Sequence, residues 1–228
     1  MLVHVVASDL PRDFWRNFVS ALETQVYSLE MTRALKKPSD ITAWEAMARA
    51  MSAYRRLDAA ALQSGIEEAK RAVAIAQDCA LVLCYVGTAL CLVGYPEEGV
   101  HHTVRAVRKG PGSGLLHYFH GVACVMLNRP EDALSHLNTA ARLSPSWHLM
   151  WAVKSWQGAA YRELGRWTAA DAAVDESNNL NQTDASNYVL KVLLCVQPGR
   201  DAEARIHIET ARRLGYETAL AELFCRRS

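Results

Sequence analysis

The sequence predicts an all-α solenoid, a stack of helix hairpins forming one continuous domain. Proline and glycine return at a spacing of 34 residues, and the apolar residues between them keep the helical interval of three and four. Pro96 and Pro130 stand 34 apart, as do Pro111 and Pro145, Gly65 and Gly99, Gly87 and Gly121, and Gly165 and Gly199. Four of the seven prolines fall on that one ruler, which sets it apart from chance.

Composition agrees. The 228 residues are 50% hydrophobic and 21% charged, enough apolar material for a core and too much for a disordered chain. The 25 Lys and Arg against 24 Asp and Glu leave a net charge of +1, no field for capturing nucleic acid or an anionic membrane. No run reaches the roughly 18 uninterrupted apolar residues of a membrane span. The six cysteines form no C-x-x-C pair, and the opening MLVHVVAS has no basic start, so a reducing cytoplasm is the expected setting.

In chain order, residues 1–10 form a disordered or short lead-in. Residues 11–37 then read as a long amphipathic helix carrying Phe14, Trp15, Phe18, Leu22, Val26 and Leu29, broken at Lys36-Lys37-Pro38. The solenoid takes residues 38–228. Thr42-Ala43-Trp44-Glu45 has the form of a capping box opening the first hairpin, which ends through Gly65, Ala69, Ala72 and Gln77.

The second unit is the clearest as chemistry. Leu83, Val86, Gly87 and Leu90 share one helix face, Gly94-Tyr95 ends that helix, and Pro96 starts the next where its missing N–H costs nothing. Glu97 and Glu98 sit at the positive end of its dipole, with Arg105, Arg108 and Lys109 toward the other, before Gly110-Pro111-Gly112 stops it. The third unit repeats this with Gly121, Cys124, Pro130, Ala133, Leu137, Ala140 and Pro145. A fourth follows after a three-residue insertion (Gly158, Tyr161, Gly165, Ala170, Val174), and a fifth has Val192 where the glycine should stand, then Cys195, Gly199, Ala204, Ile208 and Ala211. About five hairpins therefore cover residues 42–214, and residues 216–226 should form a helix capping the last apolar face.

These residues resemble the tetratricopeptide repeat (TPR), whose pattern has a small residue where two helices touch, then Ala, a large apolar residue and Ala, closed by Pro. The resemblance implies a right-handed superhelix whose first helices line a concave, peptide-binding groove. It places on that groove the residues six and three before, and one and four after, each marker glycine. Those are Leu81, Cys84, Thr88 and Cys91; Leu115, Tyr118, Val122 and Val125; and Ala152, Ser155, Ala159 and Arg162. The Lys and Asn with which chaperone-binding relatives clamp a terminal carboxylate are replaced by Cys, Tyr, Thr and Val. The groove is thus expected to be neutral and apolar, filled by a partner's amphipathic helix, a second copy of the chain, or its own segment 11–36. On this reading Tyr118→Glu abolishes partner capture without unfolding the chain.

No catalytic constellation is present: no G-x-S-x-G, phosphate loop or H-E-x-x-H. His117 and His120, with His101 and His102 upstream, are the best metal candidates, but their place before Gly121 favours imidazoles packed in the core. Trp147, Trp151 and Trp156 crowd the insertion and read as packing before partner contacts. The basic clusters Arg33, Lys36, Lys37 and Arg226, Arg227 read as solvated helix ends.

A closer resemblance lies in Leu22-Glu23-Thr24-Gln25-Val26-Tyr27, Ile41 to Ala50 with its Ala43-Trp44, Arg142-Leu143-Ser144-Pro145 and Leu164-Gly165-Arg166. These look like the C-terminal TPR region of bacterial signalling proteins that carry an adenylate/guanylate cyclase or winged-helix domain ahead of the repeats. The expected function is a non-catalytic protein–protein interaction scaffold without cofactor or metal, binding a protein or peptide and possibly self-associating. The alternatives are the regulatory region of such a cyclase or regulator, and a small-molecule-binding solenoid.

Overall fold

The computed structural model describes residues 66–67, 70–92, 94–145, 147, 149–195 and 200–214. The expected helix 11–37, the opening of the first hairpin and the capping helix 216–226 lie outside the described residues. Helical residues 70–75 lead into eight helices that pair as four hairpins. They are α1 (Ala80–Leu92) with α2 (Pro96–Lys109), α3 (Gly114–Met126) with α4 (Pro130–Leu143), α5 (Met150–Glu163) with α6 (Trp167–Leu180), and α7 (Ala185–Cys195) with α8 (Asp201–Arg213). The described residues contain no strand, and none of their helices is long and apolar enough to cross a membrane.

The sequence punctuation does the work expected of it. Pro96 and Pro130 open α2 and α4 in the first turn, followed by Glu97 and Glu98 or by Glu131 and Asp132. Ser113 caps α3, its hydroxyl accepting from the Leu116 N–H at 3.4 Å. Between the two helices of a hairpin, Gly94 (φ 96°), Asn128 (φ 56°) and Gly165 (φ 67°) occupy equivalent left-handed positions. In each turn the following N–H reaches back six residues: Tyr95 to the Leu90 carbonyl at 2.8 Å, Arg129 to Cys124 at 2.8 Å, Arg166 to Tyr161 at 2.9 Å. This is the Schellman arrangement, which satisfies the last carbonyls of one helix while reversing the chain.

The marker glycines are contact points. A Cβ on Gly87 would stand 2.5 Å from the Gly99 carbonyl oxygen, one on Gly121 would stand 2.7 Å from Leu137 Cγ, and one on Gly158 would stand 2.5 Å from Val174 Cγ2. Each lets the first helix of a hairpin lie directly on the second. Ala106, Ala133, Leu137, Ala140, Ala170, Val174, Ala204 and Ala211 form the facing side and are wholly buried. Every first helix also touches the next, α1 to α3, α3 to α5 and α5 to α7, so the four make a continuous inner row. The three-residue insertion falls in the connection before α5, where Trp147 lies edge-on to Tyr118 at a ring separation of 5.4 Å.

Candidate functional site

The inner row brings together the residues that the repeat register assigns to a groove, and it closes most of them. Cys84, Thr88, Cys91, Tyr118, Val122, Val125, Ala152 and Ser155 are buried, whereas Leu81, Leu115, Ala159 and Arg162 keep partial exposure. Polar atoms in the row are spent locally. The Cys84 thiol donates to the Leu81 carbonyl (3.3 Å) and the Thr88 hydroxyl to the Cys84 carbonyl (2.9 Å), while Arg162 pairs with its neighbour Glu163 at 2.5 Å. The row is therefore neutral and apolar as expected, but it is not an open trough in the single chain.

Tyr118 shows the consequence. It is 0% exposed, packed against Phe119 and Trp147, with Trp156 beside its hydroxyl. Burial, and to a lesser extent the nearby Asp184, push its hydroxyl well above the ordinary tyrosine value. Tyr118→Glu would thus bury a carboxylate in the core, so the expectation that this change spares the fold is corrected. Trp151 and Trp156 are buried and Trp147 is half-buried, which is the packing role anticipated for the three tryptophans.

His117 and His120 are also buried, in a network the sequence did not reveal. The Thr103 hydroxyl, 3.1 Å from the Val100 carbonyl, donates there and so accepts from His120 Nδ1 at 2.8 Å. His120 Nε2 is left to accept from the Cys124 thiol at 3.7 Å. His117 Nε2 donates to the Pro111 carbonyl (3.0 Å), which makes its Nδ1 the acceptor for His136 Nδ1–H at 2.8 Å. All three rings are satisfied in the neutral state. Burial, reinforced by His136, lowers His120 to about 4; burial, then His117, lowers His136. Both nitrogens of His117 and of His120 are thus committed elsewhere, and the pair does not face a shared point.

The last hairpin carries charge instead. Lys191, its side chain 5% exposed, meets Asp171 at 3.0 Å and Asp175 at 2.8 Å; Arg200 meets Asp171 at 2.6 Å and Glu203 at 2.8 and 2.9 Å. Burial alone would raise Asp171, but hydrogen bonds from Arg200 and Lys191 override it and hold the carboxyl below its usual range. Within this network Cys195, Glu203 and His207 bring a sulfur, an oxygen and a nitrogen within 4.8 Å of one another. His207 Nε2 is buried without a hydrogen-bond partner, 3.8 Å from Glu203 Oε1.

Sequence reasoning passed over this trio, although a signal was there. Cys195, Glu203 and His207 each follow Cys124, Asp132 and His136 by 71 residues, one ordinary step of the ruler and one lengthened by the insertion. Arg200 follows Arg129 by the same 71. The repeat thus places Cys, acid and His at one register in two hairpins. In the earlier one they are drawn apart, Cys124 to His120, Asp132 to Arg129 and His136 to His117.

No family model matches the chain, and no curated protein matches it. Solved structures do. A Pseudomonas aeruginosa PilF structure superposes with a TM-score of 0.63 at 14% identity, covering 84% of this chain and 88% of PilF. MamA residues 41 to the end, from Desulfovibrio magneticus RS-1, give 0.55 at 15% identity over 76% and 95%. A further MamA crystal structure gives 0.52 at 18% identity over 67% and 88%. The expected kinship with cyclases and winged-helix regulators receives no support from these matches. At such identities the likeness is one of fold: with its four described hairpins, Schellman turns and glycine contacts, the chain is an all-α TPR-type superhelix similar to those of PilF and MamA.

Proposed function

We propose that this chain is a non-catalytic, cytoplasmic protein–protein interaction module that receives an apolar helical or extended segment along its inner row. The observation that carries the reading is the row itself. Four successive first helices present Cys84, Thr88, Cys91, Tyr118, Val122 and Val125, with the hydroxyl and thiol hydrogens of Thr88 and Cys84 turned back to their own helix and Arg162 neutralised by Glu163. Such a surface selects apolar area and shape, and it offers nothing to an acidic tail or a phosphate. TPR-type neighbours favour protein binding in general; the groove and the nature of its occupant are our inference.

Because most of the row is closed in the single chain, an incoming segment has to share or replace what covers it. Leu81, Leu115, Ala159 and Arg162, the half-exposed members, are then its first contacts. A photo-crosslinking residue placed at Leu115 in the full chain, with Ile206 on α8 (65% exposed) as the control position, tests this in the native cytoplasm. Crosslinks to a distinct protein from Leu115 and not from Ile206 support the reading. Crosslinks from Ile206 alone move binding to the outer face, and an intrachain crosslink from Leu115 to residues 11–36 identifies self-occlusion.

A further inference from the structure

We propose that the last hairpin holds a zinc ion on Cys195, Glu203 and His207, a site independent of the interaction reading. The three donors come from two antiparallel helices. Cys195 closes α7, and Glu203 and His207 lie one turn apart on the same face of α8. Their donor atoms all lie within 4.8 Å of one another; around a tetrahedral zinc, with bonds of about 2.0–2.3 Å, neighbouring donors stand roughly 3.5 Å apart. A change of about an ångström, within reach of rotamer adjustment at the hairpin end, brings the three to ligating distance.

Each donor suits the ion. His207 Nε2 is buried and bonds to nothing, a cost for an imidazole unless a lone-pair acceptor stands in front of it. Burial, and then Lys191, keep that ring neutral, the form that binds metal. Glu203 already accepts two hydrogen bonds from Arg200, but an ionised carboxylate has about four lone-pair positions and can take the metal as well. Arg200 then fixes the orientation of a ligand, the usual task of a residue behind a metal ligand. The Cys195 thiol gives its proton to solvent on binding, one proton per ion.

Charge points the same way. Asp171, Asp175, Glu203 and a Cys195 thiolate face Lys191 and Arg200, leaving two negative charges that a divalent cation cancels. A sulfur, nitrogen and oxygen set favours zinc over magnesium or calcium, which seek oxygen alone. Solvent takes the fourth position, since both Asp171 oxygens are engaged by Lys191 and Arg200. The equivalent trio Cys124, Asp132 and His136 cannot act so, because His120, Arg129 and His117 occupy its members.

The test uses the full chain, free of any histidine tag and stripped of metal, titrated with cobalt(II) as the spectroscopic stand-in for zinc. The expected result is one equivalent of tetrahedral cobalt with a thiolate charge-transfer band, displaced by zinc. Cys195→Ser should remove the band and weaken zinc binding at least 100-fold, with Cys124→Ser leaving both unchanged. His207→Gln, on the half-exposed side of the trio, reads the same loss of affinity should Cys195→Ser not fold. No thiolate band in the natural chain, a band that survives Cys195→Ser, or one abolished by Cys124→Ser overturns the site.

Discussion

Two hairpins of one design, α3–α4 and α7–α8, handle the same polar residue types in opposite ways. Both carry Arg, acid and His on the second helix and Cys on the first, at matching register. In α3–α4 the histidines are neutral and close on each other, on Thr103, on Cys124 and on the Pro111 carbonyl. In α7–α8 Lys191 and Arg200 bind three carboxylates, and His207 is left with a bare nitrogen. The difference shows that the repeat dictates where a side chain starts, while its neighbours decide what it does. One extra imidazole, His120, is enough to turn a potential ligand set into a closed hydrogen-bond chain.

Removing Asp171 should give the largest effect. Asp171→Ala strips Lys191 and Arg200 of their shared acceptor and should cost about 3 kcal/mol in urea unfolding, since an uncompensated buried charge is expensive. Lys191→Met, which removes the buried charge itself, should stay within about 1 kcal/mol of the natural chain. If both variants are equally harmful, the charge network of α7–α8 is not what distinguishes that hairpin.

Acid separates the two hairpins next. The folded value of His120 is depressed to about 4 from 6.5, so between those limits the unfolded chain binds more protons and stability falls as pH falls. The loss should be of the order of 2 kcal/mol and complete near pH 4. Asp171 is held below the ordinary value of 3.8, so its contribution persists through that window and disappears only at lower pH. Thermal melting across pH 7.5 to 3 should show two successive losses, and His120→Leu should flatten the first alone.

Smaller effects probe the frame the two regions share. Asn128, at φ 56° in the α3–α4 turn, occupies the position that Gly94 and Gly165 fill elsewhere. Asn128→Ala should cost about 1 kcal/mol and Asn128→Gly should be nearly neutral, both read by chemical denaturation. Smallest of all, Arg129→Ala removes an exposed pair with Asp132 and should cost less than about 0.5 kcal/mol. A loss as large as that for Arg200→Ala would deny that the matching arginines play different parts.

The fold was legible because its determinants are local. A proline at a helix start, a left-handed residue in a turn and a glycine where two helices touch all act within one unit, and each unit copies the last. The groove was legible only as a register: Tyr118, Val122 and Cys84 lie on the inner row, but their burial depends on what stands across from them, which no local pattern encodes. For the same reason His117 and His120 could be recognised as core residues while their bonds to His136 and Thr103 could not. Cys195, Glu203 and His207 escaped notice because attention went to histidines close in sequence, and this trio meets only when the hairpin folds.

One substitution in the ruler has a mechanical side. Gly87, Gly121 and Gly158 seat their helices so closely that sliding one along the other would drive backbone into side chain or carbonyl. Val192 takes that seat in the last hairpin and brings a Cβ with it, so α7 and α8 cannot mesh by the same notch. The first three hairpins are keyed against shear; the fourth is held by charged side chains that can re-pair as they move. A solenoid built this way is stiff over most of its length and compliant at its C-terminal end, where strain imposed by a bound partner would be absorbed.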